Sequence, residues 1–204
     1  GKMEKMIIVN GSPRAAVSNS KKLIEIFKNI NSKKFNITEF VCRRDNDKIC
    51  AEFENTDNVL FVFPLYTDGV PSILLQLFKD IEKAEIKNKP KINVIINCGF
   101  MEPFQNDTAV EIVKIFSEQC GFEFGSVLCI GSGEAIMDTP FKLFVNMKIK
   151  SFSKAIVKNS KKTFKVTMPI TKSMFLKAST SYWLKKGEKF GVSREKMDTM
   201  DIEK

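Results

Sequence analysis

A chain of 204 residues with 33 Lys and Arg against 24 Asp and Glu carries a net charge of +9, and it contains no histidine. The missing imidazole excludes Ser-His-Asp and Cys-His catalysis and histidine-ligated zinc, so any chemistry must come from a bound cofactor. The five cysteines (Cys42, Cys50, Cys98, Cys120 and Cys129) are odd in number and widely spaced, which argues against a disulfide framework and predicts a reducing, cytoplasmic setting without an iron–sulfur cluster.

The hydrophobic share of 43% is ordinary for a globular domain, and this length allows a substantial core. No apolar run approaches the roughly 20 residues of a membrane span or the length of a signal-peptide core, so neither is expected.

The apolar run Met6–Val9 predicts a short buried strand. Asn10-Gly11-Ser12-Pro13-Arg14 and Ser18-Asn19-Ser20 follow it, and a helix is expected over 20–30. Strand, hydroxyl-rich turn and helix start form an arrangement that suits an anion. Gly11 allows a tight turn, Ser12, Ser18 and Ser20 supply hydroxyls, Arg14 supplies charge, and the helix offers free N–H groups. Taken alone, the same loop also reads as an ordinary strand-to-helix connection.

Residues 34–41 read as a half-buried or edge strand, and 45–58 as polar and irregular. Val59–Phe63 is a strand buried on both faces, expected to stop at Pro64, with Pro71 opening a helix that runs to Lys83. Between them lies the loop Pro64-Leu65-Tyr66-Thr67-Asp68-Gly69-Val70. Lys91–Cys98 is a fourth buried strand, ending in Gly99-Phe100-Met101-Glu102-Pro103. A helix is expected over 107–120, capped by Asn106 or Asp107, with Ala109, Ile112, Val113 and Phe116 on its buried face. Phe124–Ile130 is the fifth strand, ended by Gly131-Ser132-Gly133. Strands alternating with helices predict a five-stranded parallel sheet in a three-layer α/β/α sandwich, with a crevice at its carboxyl edge.

Charge is unevenly divided: residues 141–204 carry +11, the first 140 carry −2, and no acid occurs from Thr139 to Gly187. Thr139-Pro140 reads as a helix start. In that helix Phe141, Val145, Ile149, Phe152 and Ile156 line one face, and Lys150, Lys154 and Lys158 another. The lysine face reads as a solvated last helix of the sandwich or as a patch for an acidic redox partner. Nucleic-acid binding is not expected, since arginine is scarce and no aromatics interleave the lysines. No membrane partner is expected either, since a membrane-surface helix would need a free apolar face. Beyond Thr163, Met174-Phe175-Leu176, Tyr182-Trp183-Leu184 and Phe190 offer a second apolar surface, Lys186-Gly187 reads as a helix end, and Ser193 as a cap.

Asn10-Gly11-Ser12-Pro13-Arg14 with Ser18-Asn19-Ser20, then Pro64-Leu65-Tyr66-Thr67-Asp68-Gly69-Val70-Pro71 and Lys79-Asp80, resemble the flavodoxin-like NADPH-dependent FMN reductases. The resemblance implies an FMN phosphate held by Ser12, Pro13, Arg14, Ser18, Asn19 and Ser20. It implies a flavin ring lying along Pro64, Leu65, Tyr66, Thr67, Asp68 and Gly69 and against Gly99 and Phe100. It further implies a flavodoxin-like FMN domain over 1–162 and a basic helical extension over 163–204 acting as lid or subunit contact in a homodimer. The activity implied is hydride transfer from NAD(P)H to FMN and onward to a small-molecule acceptor such as a quinone or flavin, with no catalytic side chain. Two rivals stay open: a flavodoxin-type electron carrier without nicotinamide turnover, and an interaction module that no longer binds flavin.

Overall fold

The computed structural model describes residues 2–66, 69–99, 103–131, 137, 140, 142–167 and 184. Their order is β1 (Glu4–Asn10), a 3-10 turn (Ala15–Val17), α1 (Asn19–Asn31), β2 (Phe35–Val41), α2 (Asn46–Phe53) and β3 (Asn58–Leu65). Then come α3 (Ser72–Lys83), β4 (Lys91–Cys98), α4 (Pro103–Gln119), β5 (Phe124–Ile130), α5 (Lys142–Val157) and β6 (Thr163–Val166). The strands form one parallel sheet in the order β2-β1-β3-β4-β5-β6. This is the flavodoxin-like fold.

The sheet separates two cores, and each is written in the alternation of its strands. Ile7, Val9, Phe61, Phe63, Val94 and Ile96 face α2, α3 and α4, where they meet Phe53, Leu77, Phe78 and Phe116. Met6, Ile8, Leu60, Val62 and Ile95 face α1 and α5, where they meet Phe27, Val145, Ile149 and Phe152. All eight residues of β3 are buried, as a strand covered on both sides requires.

Three sequence expectations need correction. The sheet has six strands rather than five, because Thr163–Val166 pairs with β5 from Val127 to Ile130; these four residues fall within the expected C-terminal extension. Residues expected to be irregular form α2, whose Ile49 and Phe53 are fully buried. β3 runs through Pro64 to Leu65. β1 stops pairing with β3 at Val62, so Pro64 has a ladder only with β4, where a missing N–H is tolerated. The expected features of 168–204, Leu184 apart, together with Phe141, Thr139 and Ser132-Gly133, lie outside the described residues.

Between β4 and β5 the register slips between Ile92 and Val94. The buried Asn93 fills the gap: its Oδ1 accepts from Ser126 N–H at 3.0 Å, and its Nδ2 donates to Asn58 Oδ1 at 3.3 Å. A Cβ on Gly125 would overlap Asn93 Oδ1. Gly125→Ala therefore displaces a buried amide from its partners. It is expected to lower unfolding stability by about 1–3 kcal/mol, read by urea titration of the far-ultraviolet circular dichroism. An unchanged midpoint would refute this account of the slip.

Candidate functional site

The sheet order reverses direction between β1 and β3, since the chain leaves β1 toward β2 and later builds outward from β3 toward β6. Loops on either side of such a point part and open a crevice at the carboxyl edge. The loop after β1 is drawn close to β3: Gly11 N–H donates to Val62 O at 2.8 Å, and a Cβ on Gly11 would lie 3.0 Å from Phe63 Cβ. A side chain here would press on Phe63 Cβ, so glycine suits this approach.

Asn10, 1% exposed, braces the loop from below. Its Oδ1 accepts from Ser12 N–H at 3.0 Å, and its Nδ2 donates to Ala15 O at 3.1 Å. Ser12 Oγ accepts from Arg14 N–H at 3.2 Å. Ser18 caps α1: its hydroxyl accepts from Lys21 N–H at 3.1 Å and donates to Ala15 O at 2.9 Å. Ser20 donates to Asn97 Oδ1 at 3.3 Å, tying the start of α1 to the end of β4. All three expected hydroxyls thus hold the segment: Ser18 and Ser20 spend their protons on Ala15 O and Asn97 Oδ1, while Ser12 accepts from Arg14 N–H and keeps its proton.

The donors left over are informative. Asn19 is 7% exposed, yet its Nδ2 has no hydrogen-bond partner. Lys21 N–H is taken by Ser18 Oγ, and the N–H groups of Asn19 and Ser20 have no preceding turn to bond to. Arg14 is exposed and, among the described residues, forms no ion pair. Lys21 is not available in the same way, because Glu39 at 2.7 Å and Glu25 at 2.9 Å hold its ammonium and raise its pKa, Glu39 most strongly. Pro13 is exposed at the rim.

The second loop leaves β3 at Pro64 and Leu65, both buried, and exposes Tyr66. Tyr66 and Gly69 exchange backbone hydrogen bonds, Gly69 N–H to Tyr66 O at 2.9 Å and Tyr66 N–H to Gly69 O at 3.3 Å. Gly69 has φ +103°, and a Cβ there would meet nothing within 4 Å, so backbone strain rather than crowding requires glycine. Gly99 follows β4 at the same edge, exposed, again with open space where a Cβ would be. Thr67, Asp68 and Phe100 lie outside the described residues, as do Ser132–Ile136.

The structure thus gathers Ser12, Pro13, Arg14, Ser18, Asn19, Ser20, Pro64, Leu65, Tyr66, Gly69 and Gly99 at the carboxyl ends of β1, β3 and β4. Sequence reasoning missed two residues that position them, Asn10 and Asn97. Their signal was an asparagine directly after a run of buried apolar residues, Met6–Val9 for Asn10 and Val94–Ile96 for Asn97. Cys98 is a packed thiol, its Sγ 3.6 Å from Asn106 Oδ1 and 3.7 Å from Ile130 O. Burial pushes Cys129 up to about 11 and Cys42 up to about 12, so neither is a thiolate near neutral pH.

No protein-family model and no curated protein matches the sequence. Solved structures do match the fold. An NAD(P)H:quinone oxidoreductase from Methanothermobacter marburgensis superposes with a TM-score of 0.59 at 14% identity, covering 76% of this chain and 100% of that one. General stress protein 14 from Treponema denticola, solved with FMN, gives 0.54 at 13% identity, covering 76% and 98%. A flavodoxin from Streptococcus pneumoniae gives 0.51 at 13%, covering 75% and 98%. At such identities the likeness establishes the fold.

Asn10→Ala leaves the Ser12 N–H and the Ala15 carbonyl without their partner. The expected cost is about 1–3 kcal/mol in unfolding free energy, measured by urea denaturation. A variant as stable as the parent would show that the brace contributes nothing.

Proposed function

We propose that the protein is an FMN-dependent oxidoreductase that takes a hydride from NADH or NADPH and passes electrons to a small-molecule acceptor such as a quinone, a flavin or a nitro compound. The observation that carries this reading is the unpartnered, buried Asn19 Nδ2 at the N-terminus of α1, on the same loop-to-helix segment as Ser12, whose hydroxyl proton is unspent, and Arg14, which forms no ion pair among the described residues. Leaving such a donor unpaired costs about 1–3 kcal/mol, a cost that an incoming anion removes. Neutral donors, one fixed cation and helix N–H groups together suit a phosphate monoester, so the residues present fit FMN.

In this reading Ser12, Asn19 and Arg14 hold the phosphate, while Ser18 and Ser20 keep the loop in shape. Leu65 and Val70, both buried, back the second loop and exclude water from its inner side. The Tyr66–Gly69 turn, its backbone locked by its own two hydrogen bonds, presents Tyr66 and main-chain groups along the ring, with Gly99 allowing close approach from β4. Bound flavin would supply the hydride acceptance and release that this histidine-free chain lacks in its own side chains. The exposed edge gives nicotinamide and acceptor the same face in turn, which is the basis for ping-pong kinetics.

Adding FMN to the purified protein should produce a bound-flavin spectrum, and anaerobic NADPH or NADH should bleach it rapidly. Ser12→Asp places a carboxylate against the phosphate. It is expected to weaken FMN at least tenfold while changing riboflavin affinity far less. Flavin that binds but is bleached by neither nicotinamide would favour an electron carrier. Failure to bind FMN in excess would remove both readings.

A further inference from the structure

We infer that the outward face of α5 is a docking surface for an anionic phospholipid membrane. The argument is independent of the redox reading. α5 buries Val145, Ile149, Phe152, Ala155 and Ile156 against the sheet. At roughly 100° per residue, Leu143, Met147, Lys150, Lys154, Val157 and Lys158 fall on the opposite side. There Leu143 is 68% exposed, Met147 62% and Val157 52%, so most of this second apolar set faces outward.

The lysines of this helix, and Lys158 just after it, are equally uncommitted. Among the described residues Lys142, Lys148, Lys150, Lys154 and Lys158 form no ion pair, whereas Lys21, Lys28, Lys91 and Lys161 all do. No acid lies within the 139–187 stretch to neutralise them. The face is basic and carries exposed aliphatic side chains.

Two partners carry the complementary charge, an acidic protein and an anionic bilayer. Protein interfaces select Trp, Tyr and Arg as anchors and disfavour Lys at their centre. This face has lysine, Leu143, Met147 and Val157, with Ser151 and the half-exposed Phe144 at its edge, and it has neither Trp, Tyr nor Arg. Lysine keeps its hydration at a lipid headgroup layer while Leu and Met enter the acyl boundary, and no shape match is needed. Among the described residues no helix is long and apolar enough to cross a membrane, so the contact is peripheral.

The test is co-sedimentation of the full chain with phosphatidylcholine vesicles containing or lacking about one-third phosphatidylserine, at rising salt. Binding is expected only with phosphatidylserine, and it should weaken as salt shortens the screening length below about 8 Å. The variant Lys150→Glu/Lys154→Glu/Lys158→Glu should lose at least tenfold, and Leu143→Ser/Met147→Ser should weaken binding while circular dichroism stays native. Lys33→Glu/Lys34→Glu/Lys87→Glu makes the same charge change at exposed sites elsewhere and should stay within about twofold of the parent. Equal binding to neutral vesicles would overturn the proposal, as would undiminished binding by the α5 variants or equal loss in the control variant. So would absence of vesicle binding, including the case in which the protein is retained only on immobilised polyglutamate.

Discussion

The contact on which the site depends is the approach of Gly11 to β3. Its N–H bonds Val62 O at 2.8 Å with Phe63 Cβ directly alongside. That contact turns the chain out of β1 over the end of its neighbour, and it sets where α1 begins. Asn10 extends the constraint on both sides, its backbone carbonyl accepting from Cys42 N–H at 3.0 Å and its side chain holding Ser12 and Ala15. The loop is therefore anchored to β2, β3 and, through Ser20 and Asn97, to β4. A site held from three strands needs little reorganisation on binding, which lowers the cost of ordering it around an anion.

The fold was largely legible because the strands covered on both faces announce themselves. β4 and β5 were read to the residue, and β3 was recognised as a five-residue core of what became eight. The misses have physical causes. Pro64 reads as a stop only if both neighbours pair at that level, and the stagger of β1 against β3 is a tertiary fact. α2 was hidden because Asn46, Asp47, Lys48 and Glu52 outnumber Ile49 and Phe53, the only two residues it buries. β6 is four residues long with one buried side chain, too short for alternation to register.

At the site, the residue types were legible and their division of labour was not. Three serines in a loop look interchangeable in sequence. The structure gives Ser18 to the cap, Ser20 to a strand tether, and leaves Ser12 with a proton to donate. A similar sorting applies to cations. Lys21 lies one residue beyond the loop and would seem a natural anion ligand, yet Glu39 and Glu25 claim it. Arg14 is left with its charge unspent. The selection rests on distances between elements far apart in the chain, such as Lys21 to Glu39.

The composition of α5 has no explanation in the fold itself. Its buried stripe alone would hold it on the sheet, and outward Leu143 and Met147 add nothing there. Lys150, Lys154 and Lys158 repeat at a spacing of four, which costs about 0.2–0.5 kcal/mol per like-charged pair. Lys154 and Lys158 recover a similar amount from the helix C-terminus, but Lys142 sits at the N-terminus, where the helix dipole opposes it. The electrostatic balance within the helix is close to neutral at best, so stability does not select this face. In the proposed docking its lysines and aliphatic side chains would act together against a negatively charged surface.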